Sequence, residues 1–151
     1  MKNKSTGEIM KIPLEFNPTG DRIFVIVTII VDGKILPVKF VVDTGSNKTF
    51  IPETSAAKVR IFTKNLELEE SVLMGGTKVN LYKLGKVIMN FRNEKGEIES
   101  IGFSNLKVAE SAWTRKGVVS AEVAILGMDF LLENKLHLFV DPSKREGYIG
   151  R

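Results

Sequence analysis

Asp43-Thr44-Gly45 stands between two runs of sequence that have to be buried. Phe40-Val41-Val42 leads into it, and Thr49-Phe50-Ile51 follows shortly after Ser46. Runs this rich in β-branched and aromatic residues favour extended backbone, whereas a carboxylate beside a glycine is turn chemistry. The chain is therefore expected to leave one buried strand, turn with a carboxylate at the apex, and enter a second. Farther on, Val123-Ala124-Ile125-Leu126-Gly127 supplies two large apolar residues and a glycine, and opens into Met128-Asp129-Phe130-Leu131.

The remainder alternates strand and turn signals. Between Asp21 and Phe40, two largely β-branched runs flank Asp32-Gly33, a two-residue hairpin signal. Leu66–Met74 and Thr77–Leu84 flank Gly75-Gly76; Val87–Arg92 and Glu97–Phe103 flank Asn93-Glu94-Lys95-Gly96. A fourth hairpin is expected where Leu136–Val140 and Gly147–Gly150 flank Asp141-Pro142-Ser143. Two segments read as helical, Thr54–Lys58 and Met128–Asn134, the second following Gly127 and carrying Leu131-Leu132 on one side. Many short strands at regular spacing predict an all-β closed barrel or sandwich of short antiparallel strands. At 151 residues this is a single domain, expected over residues 12–151, with residues 1–11 a mobile lead-in.

Composition narrows the function classes. A hydrophobic content of 43% with 26% charged residues describes a soluble globular chain. With no cysteine there is no disulfide, thiolate ligand or cysteine nucleophile, and one histidine is a poor start for a metal centre. No metal or cofactor is expected. The net charge of +4 comes from scattered basic residues, densest at Lys58-Val59-Arg60 with Lys64, and no aromatics interleave with them. A nucleic-acid surface is not expected from that pattern. The longest apolar run, Ile23–Val31, is too short to span a membrane, and Met1–Gly7 lacks the apolar segment of a signal peptide. The expected location is the cytoplasm, with no membrane partner. His137, alternating with Leu136 and Leu138, reads as a strand-face residue, and Trp113 as packing.

In Ile12–Phe16, Leu36–Ile51, Ile125–Leu131 and Leu136–Ile149, taken in that order, the chain resembles the retropepsin-like aspartic proteases, above all their cellular single-domain members in bacteria and archaea. The resemblance implies the retropepsin-like barrel and an aspartic endopeptidase, with Asp43 the catalytic residue and Thr44, Gly45, Ser46, Ile125, Leu126 and Gly127 supporting the site. It also implies that the Thr44 hydroxyl bonds across a dimer, and that Met74, Gly75, Gly76 and Thr77 form a flap over the substrate, since the family places its flap between the two motifs.

Elementary chemistry leads to the same assembly. Peptide hydrolysis needs a base for water and an acid for the leaving amine, and two carboxyls sharing one proton provide both. Asp21, Asp32, Asp129 and Asp141 are not followed by Thr/Ser-Gly, so one chain carries one such carboxylate loop. The expectation is a homodimer acting on peptide or protein substrates, with one Asp43 from each copy. Terminal strands such as Gly147–Gly150 are expected to add to the contact. Gly45 lets the loops approach closely, Ser46 is placed to donate to the Asp43 carboxylate, and Gly127 lets Ile125 and Leu126 pack beneath the loop. Two alternatives stand beside this. One is a catalytically silent dimeric peptide-binding or scaffold module of the same fold; the other is a phosphate hairpin of the actin-like ATPases, which Val42–Ser46 also resembles.

Overall fold

The computed structural model describes residues 10–74, 76–114, 117–119 and 123–151, with 112–114 and 117–119 described by backbone alone. Its strands are β1 (Lys11–Pro13), β2 (Glu15–Phe16), β3 (Ile23–Val31), β4 (Lys34–Val42), β5 (Phe50–Pro52), β6 (Glu67–Met74), β7 (Thr77–Arg92), β8 (Ile98–Ala109), β9 (Ala112–Thr114), β10 (Gly117–Val119), β11 (Ala124–Leu126), β12 (His137–Asp141) and β13 (Glu146–Gly150). Helix α1 (Glu53–Ala57) follows β5, α2 (Met128–Glu133) follows β11, and a short 3-10 turn covers Thr63–Asn65. This is the all-β class read from the turns, and its two short helices fall on the two segments expected to be helical, Thr54–Lys58 and Met128–Asn134.

The main sheet runs β2-β3-β4-β11-β5-β8-β7-β6, and a further pairing of β3 with β7 closes it into a barrel, leaving β6 as an edge strand. The β3–β4 turn has Asp32 and Gly33 both at positive φ (50° and 74°), the geometry that matches strand twist in a two-residue hairpin. Two ladders depart from the antiparallel expectation: β11 pairs with β4, and β5 with β8, in parallel. Their partners lie far apart in sequence, so no hairpin turn announces them.

β7 and β8 are not short. The expected break after Leu84 is absent because Gly85, at φ 93°, takes up the bend within a continuous strand, with register shifts on either side of it. Glycine meets that positive φ without steric cost. A separate three-stranded sheet of order β1-β13-β12 packs beside the barrel. There both edges of β13 are paired within the chain, so Gly147–Gly150 has no free backbone edge to offer a partner. Met10 is buried and Lys11 pairs with Gly150, which places these two residues in the folded body.

The barrel core is filled by inward residues of β3, β4, β7 and β8, including Val25, Val27 and Ile29 of β3 and Met89 and Phe91 of β7. α2 closes one end. Its Phe130 ring lies 5.6 Å from Phe91, tilted, and 5.5 Å from Phe103, edge to face, contacts that add about 0.5–1.5 kcal/mol each beyond burial. Leu131 is buried beside Phe130, but Leu132 is 70% exposed. Neighbouring helical residues point about 100° apart, so Leu131 and Leu132 do not share a face. No helix among the described residues is long and apolar enough to cross a membrane.

Candidate active site

β4 delivers the chain to the loop at Val42, and β11 runs parallel beside it, Leu126 opposite Val42. The ladder continues one step into the loop, where the Asp43 amide donates to the Leu126 carbonyl at 3.0 Å. The chain then turns: the Ser46 amide donates to the Asp43 carbonyl at 3.1 Å, and the Gly45 amide donates to Asp43 Oδ1 at 2.9 Å. A Cβ on Gly45 would stand 3.1 Å from that same oxygen, so glycine keeps the carboxylate uncrowded. Asp43, Thr44 and Gly45 are all exposed, at the outer end of the buried ladder.

Ser46 does not serve Asp43. Its hydroxyl donates to the Lys48 carbonyl at 2.8 Å and accepts from the Lys48 amide at 3.2 Å. A hydroxyl two residues before a free backbone carbonyl closes a local turn more readily than it reaches back to Asp43. Ser46 therefore shapes the loop rather than tuning the carboxylate.

Behind the loop lies a network that the sequence did not disclose. Thr49, fully buried, donates through Oγ1 to Asp129 Oδ1 at 2.6 Å and through its amide to Oδ2 at 3.2 Å. The same Oγ1 accepts the Gly127 amide at 2.9 Å, and the Met128 amide donates to the Ser46 carbonyl at 2.8 Å. These bonds strap the loop to the start of α2. Gly127 makes the approach possible: a Cβ there would sit 2.4 Å from the Lys48 carbonyl oxygen and 2.7 Å from that of Ser46. The signal that could have revealed Asp129 is its position one residue into α2, where a carboxylate accepts backbone amides.

Ile125 and Leu126 part company. Successive strand residues face opposite ways, so Leu126 enters the main core beneath the loop. Ile125 faces the β6–β7 hairpin instead, packed with Phe50, Val72, Met74, Val79, Leu81 and Ala109. The underside of that hairpin is thus apolar and lies on β5 and β11. At its tip Met74 pairs with Thr77 and Gly76 has φ 81°; Gly75 lies outside the described residues.

A cavity of about 350 Å³ opens beside Asp43, walled by Phe16, Ile23, Val41 and Val140 and rimmed by Asp21 and Arg22. Asp21 accepts hydrogen bonds from Thr19 and Asn17, each at 2.6 Å. Those two bonds, Thr19's the larger in effect, hold its carboxyl below the ordinary value of 3.8. His137 lies away from this cavity on the outer face of β12, edge-on to Tyr148 at 6.1 Å. The Trp113 side chain lies outside the described residues.

Comparison with known proteins places this geometry. The family model described as aspartyl protease matches residues 27–130. The crystal structure of a retropepsin-like aspartic protease from Rickettsia conorii superposes with a TM-score of 0.59 at 20% identity, covering 95% of this chain and 92% of that one. EIAV protease complexed with the inhibitor HBY-793 gives 0.47 at 17% identity, over 82% of this chain and 98% of that one. The retroviral protease-like domain of Ddi1 from Leishmania major gives 0.41 at 16% identity, over 76% and 79%. No curated protein matches the sequence. The fold is retropepsin-like, and the chain belongs to the aspartyl protease family.

Proposed function

We propose that this chain is an aspartic endopeptidase that works as a homodimer, each copy contributing Asp43 to one shared site. The observation that carries this reading is the exposure of Asp43, Thr44 and Gly45 at the end of an otherwise buried ladder. A single carboxylate has no acid partner, and the site is complete only when a second loop meets it. Asp21, the other carboxyl at the cavity rim, is a poor candidate for that role, because its hydrogen bonds favour the ionised form.

In the paired site one carboxylate takes a proton from water, and the resulting hydroxide adds to the carbonyl carbon of the peptide. The protonated partner gives its proton to the carbonyl oxygen. Collapse of the tetrahedral intermediate then transfers a proton to the amide nitrogen, breaks the C–N bond and leaves an acid and an amine. Thr44, facing outward beside Asp43, bonds across the dimer and fixes the two loops. The β6–β7 hairpin closes over the substrate with its apolar underside and excludes water, which suits extended, apolar-rich peptides. The protein acts in the cytoplasm, without metal or cofactor.

Incubation with a diverse peptide mixture from acid to neutral pH, beside an Asp43→Ala control, tests the reading. Cleavage that disappears in the control supports it. Intact peptides bound by both proteins alike would instead make the chain a binding module of the same fold.

A further inference from the structure

Strand β6 hangs on the barrel edge, paired among the described residues only with β7, yet two of its side chains reach past β7 to the body of the protein. Glu69 pairs with Lys107 of β8 at 3.3 Å, and Glu70 pairs with Lys48 at 3.2 Å. Adjacent strand residues ordinarily point to opposite faces. Here a register shift between Leu68 and Glu70 leaves Glu69 as an extra residue with no partner in β7, and a bulge of this kind re-aims side chains. Both glutamates thereby find lysines outside β6 and β7. Lys48 is the residue whose backbone closes the Ser46 turn, so its pair with Glu70 ties the hairpin directly to the Asp43 loop.

We propose that Glu69 and Glu70 form a two-part latch that sets the closure of the β6–β7 hairpin over the Asp43 site, with Lys107–Glu69 as the fixed hinge and Lys48–Glu70 as the releasable catch. Burial separates the two parts. The Lys107 side chain is 5% exposed, and apart from Glu69 its ammonium reaches the Asn105 carbonyl at 3.4 Å. Pulling Glu69 away would leave a buried charge without a counter-ion, which proteins avoid strongly. Lys48 and Glu70 are about one-third exposed on both sides, so water can replace either partner at small cost. Of the two pairs, the one at Glu69 therefore resists opening strongly, while the one at Glu70 adds only a small barrier to opening from there outward to the tip. These four are positioning residues for the reaction proposed above. The inference rests on that reading for its purpose, not for its geometry.

Backbone hydrogen exchange across residues 71–80 tests the catch on the intact protein. Glu70→Gln keeps the shape and removes the charge. Exchange in this segment should then rise about two- to fivefold at low salt, the range of a partly exposed ion pair. The gap between variant and wild type should close near ~1 M NaCl, where screening acts within about 3 Å. The charge-swapped double variant, Lys48→Glu with Glu70→Lys, should return exchange to the wild-type rate. In peptide hydrolysis the Glu70→Gln loss should fall on KM rather than kcat. Unchanged exchange at low salt in Glu70→Gln, or no rescue by the swap, overturns the catch. Glu69→Gln should instead lower Tm and speed exchange chain-wide, and adding Lys107→Met should restore both; an unchanged Tm overturns the hinge. If the wild type cleaves no peptide, the protease reading fails while the exchange data still decide the latch.

Discussion

Thr49 Oγ1 donates to Asp129 Oδ1 at 2.6 Å while accepting the Gly127 amide at 2.9 Å, so one buried hydroxyl joins the end of the Asp43 loop to the first turn of α2. Thr49→Val keeps the shape and strands two groups, the Gly127 N–H and a lone pair of Asp129. Leaving a buried polar group unpaired costs about 1–3 kcal/mol. Denaturant melts of Thr49→Val should show a loss of that size, with Thr49→Ser close to wild type. Equal stability of Thr49→Val and Thr49→Ser would mean that the hydroxyl contributes nothing.

The two glycines of the site should respond differently to the same substitution. Gly127→Ala puts a methyl 2.4 Å from the Lys48 carbonyl oxygen. Backbone has to move, at a cost of about 3 kcal/mol, the upper end of ordinary overpacking. Gly45→Ala meets only Asp43 Oδ1, at 3.1 Å, so the domain should melt near the wild-type temperature while peptide cleavage falls. Thermal melts and cleavage assays on both variants separate these outcomes.

What the sequence disclosed and what it hid divide along one physical line. Local signals were legible: Asp32-Gly33 turns β3 into β4, Gly76 sits at positive φ between β6 and β7, and Asn93–Gly96 joins β7 to β8, because a turn's φ requirements are written in its own residues. The Asp43 loop and the Ile125-Leu126-Gly127 strand were legible as motifs for the same reason. Long-range relationships were not. Thr49 and Asp129 are separated by most of the barrel in sequence, and either residue alone looks like a strand threonine and a helix-start carboxylate. That Leu126 meets the main core while Ile125 meets the β6–β7 hairpin depends on which layers sandwich β11. The Ser46 hydroxyl turns to the Lys48 carbonyl, a backbone acceptor that residue identity does not advertise.

Asp21 links the loop at the rim of the Asp43 cavity to pH. Thr19 and then Asn17 lower its folded pKa below the ordinary 3.8 by hydrogen bonding to the ionised form. A depressed carboxyl pKa stabilises the folded loop fully above the unfolded value, and that contribution fades as pH falls through the folded value. The Asn17–Arg22 loop should therefore stay ordered into mild acid and loosen only below the ordinary carboxylate range. NMR titration of the Asp21 carboxyl checks this. Thr19→Val should move its midpoint upward, and an unmoved midpoint would show that the Thr19 bond is not the main cause.

Asp43→Asn separates chemistry from assembly. The amide preserves the size of the carboxylate, and its oxygen can still accept the Gly45 amide, now 2.9 Å from Oδ1. The variant should fold, and should dimerise as the wild type does in light scattering across a concentration series. Peptide cleavage should vanish, because no amide can shuttle a proton. Binding of statine-type inhibitors, whose hydroxyl takes the place of the attacking water, should go with it. A wild type that is monomeric at every concentration yet cleaves peptides would sink the one-carboxylate-per-copy mechanism. Full activity in Asp43→Asn would move the chemistry to another residue altogether.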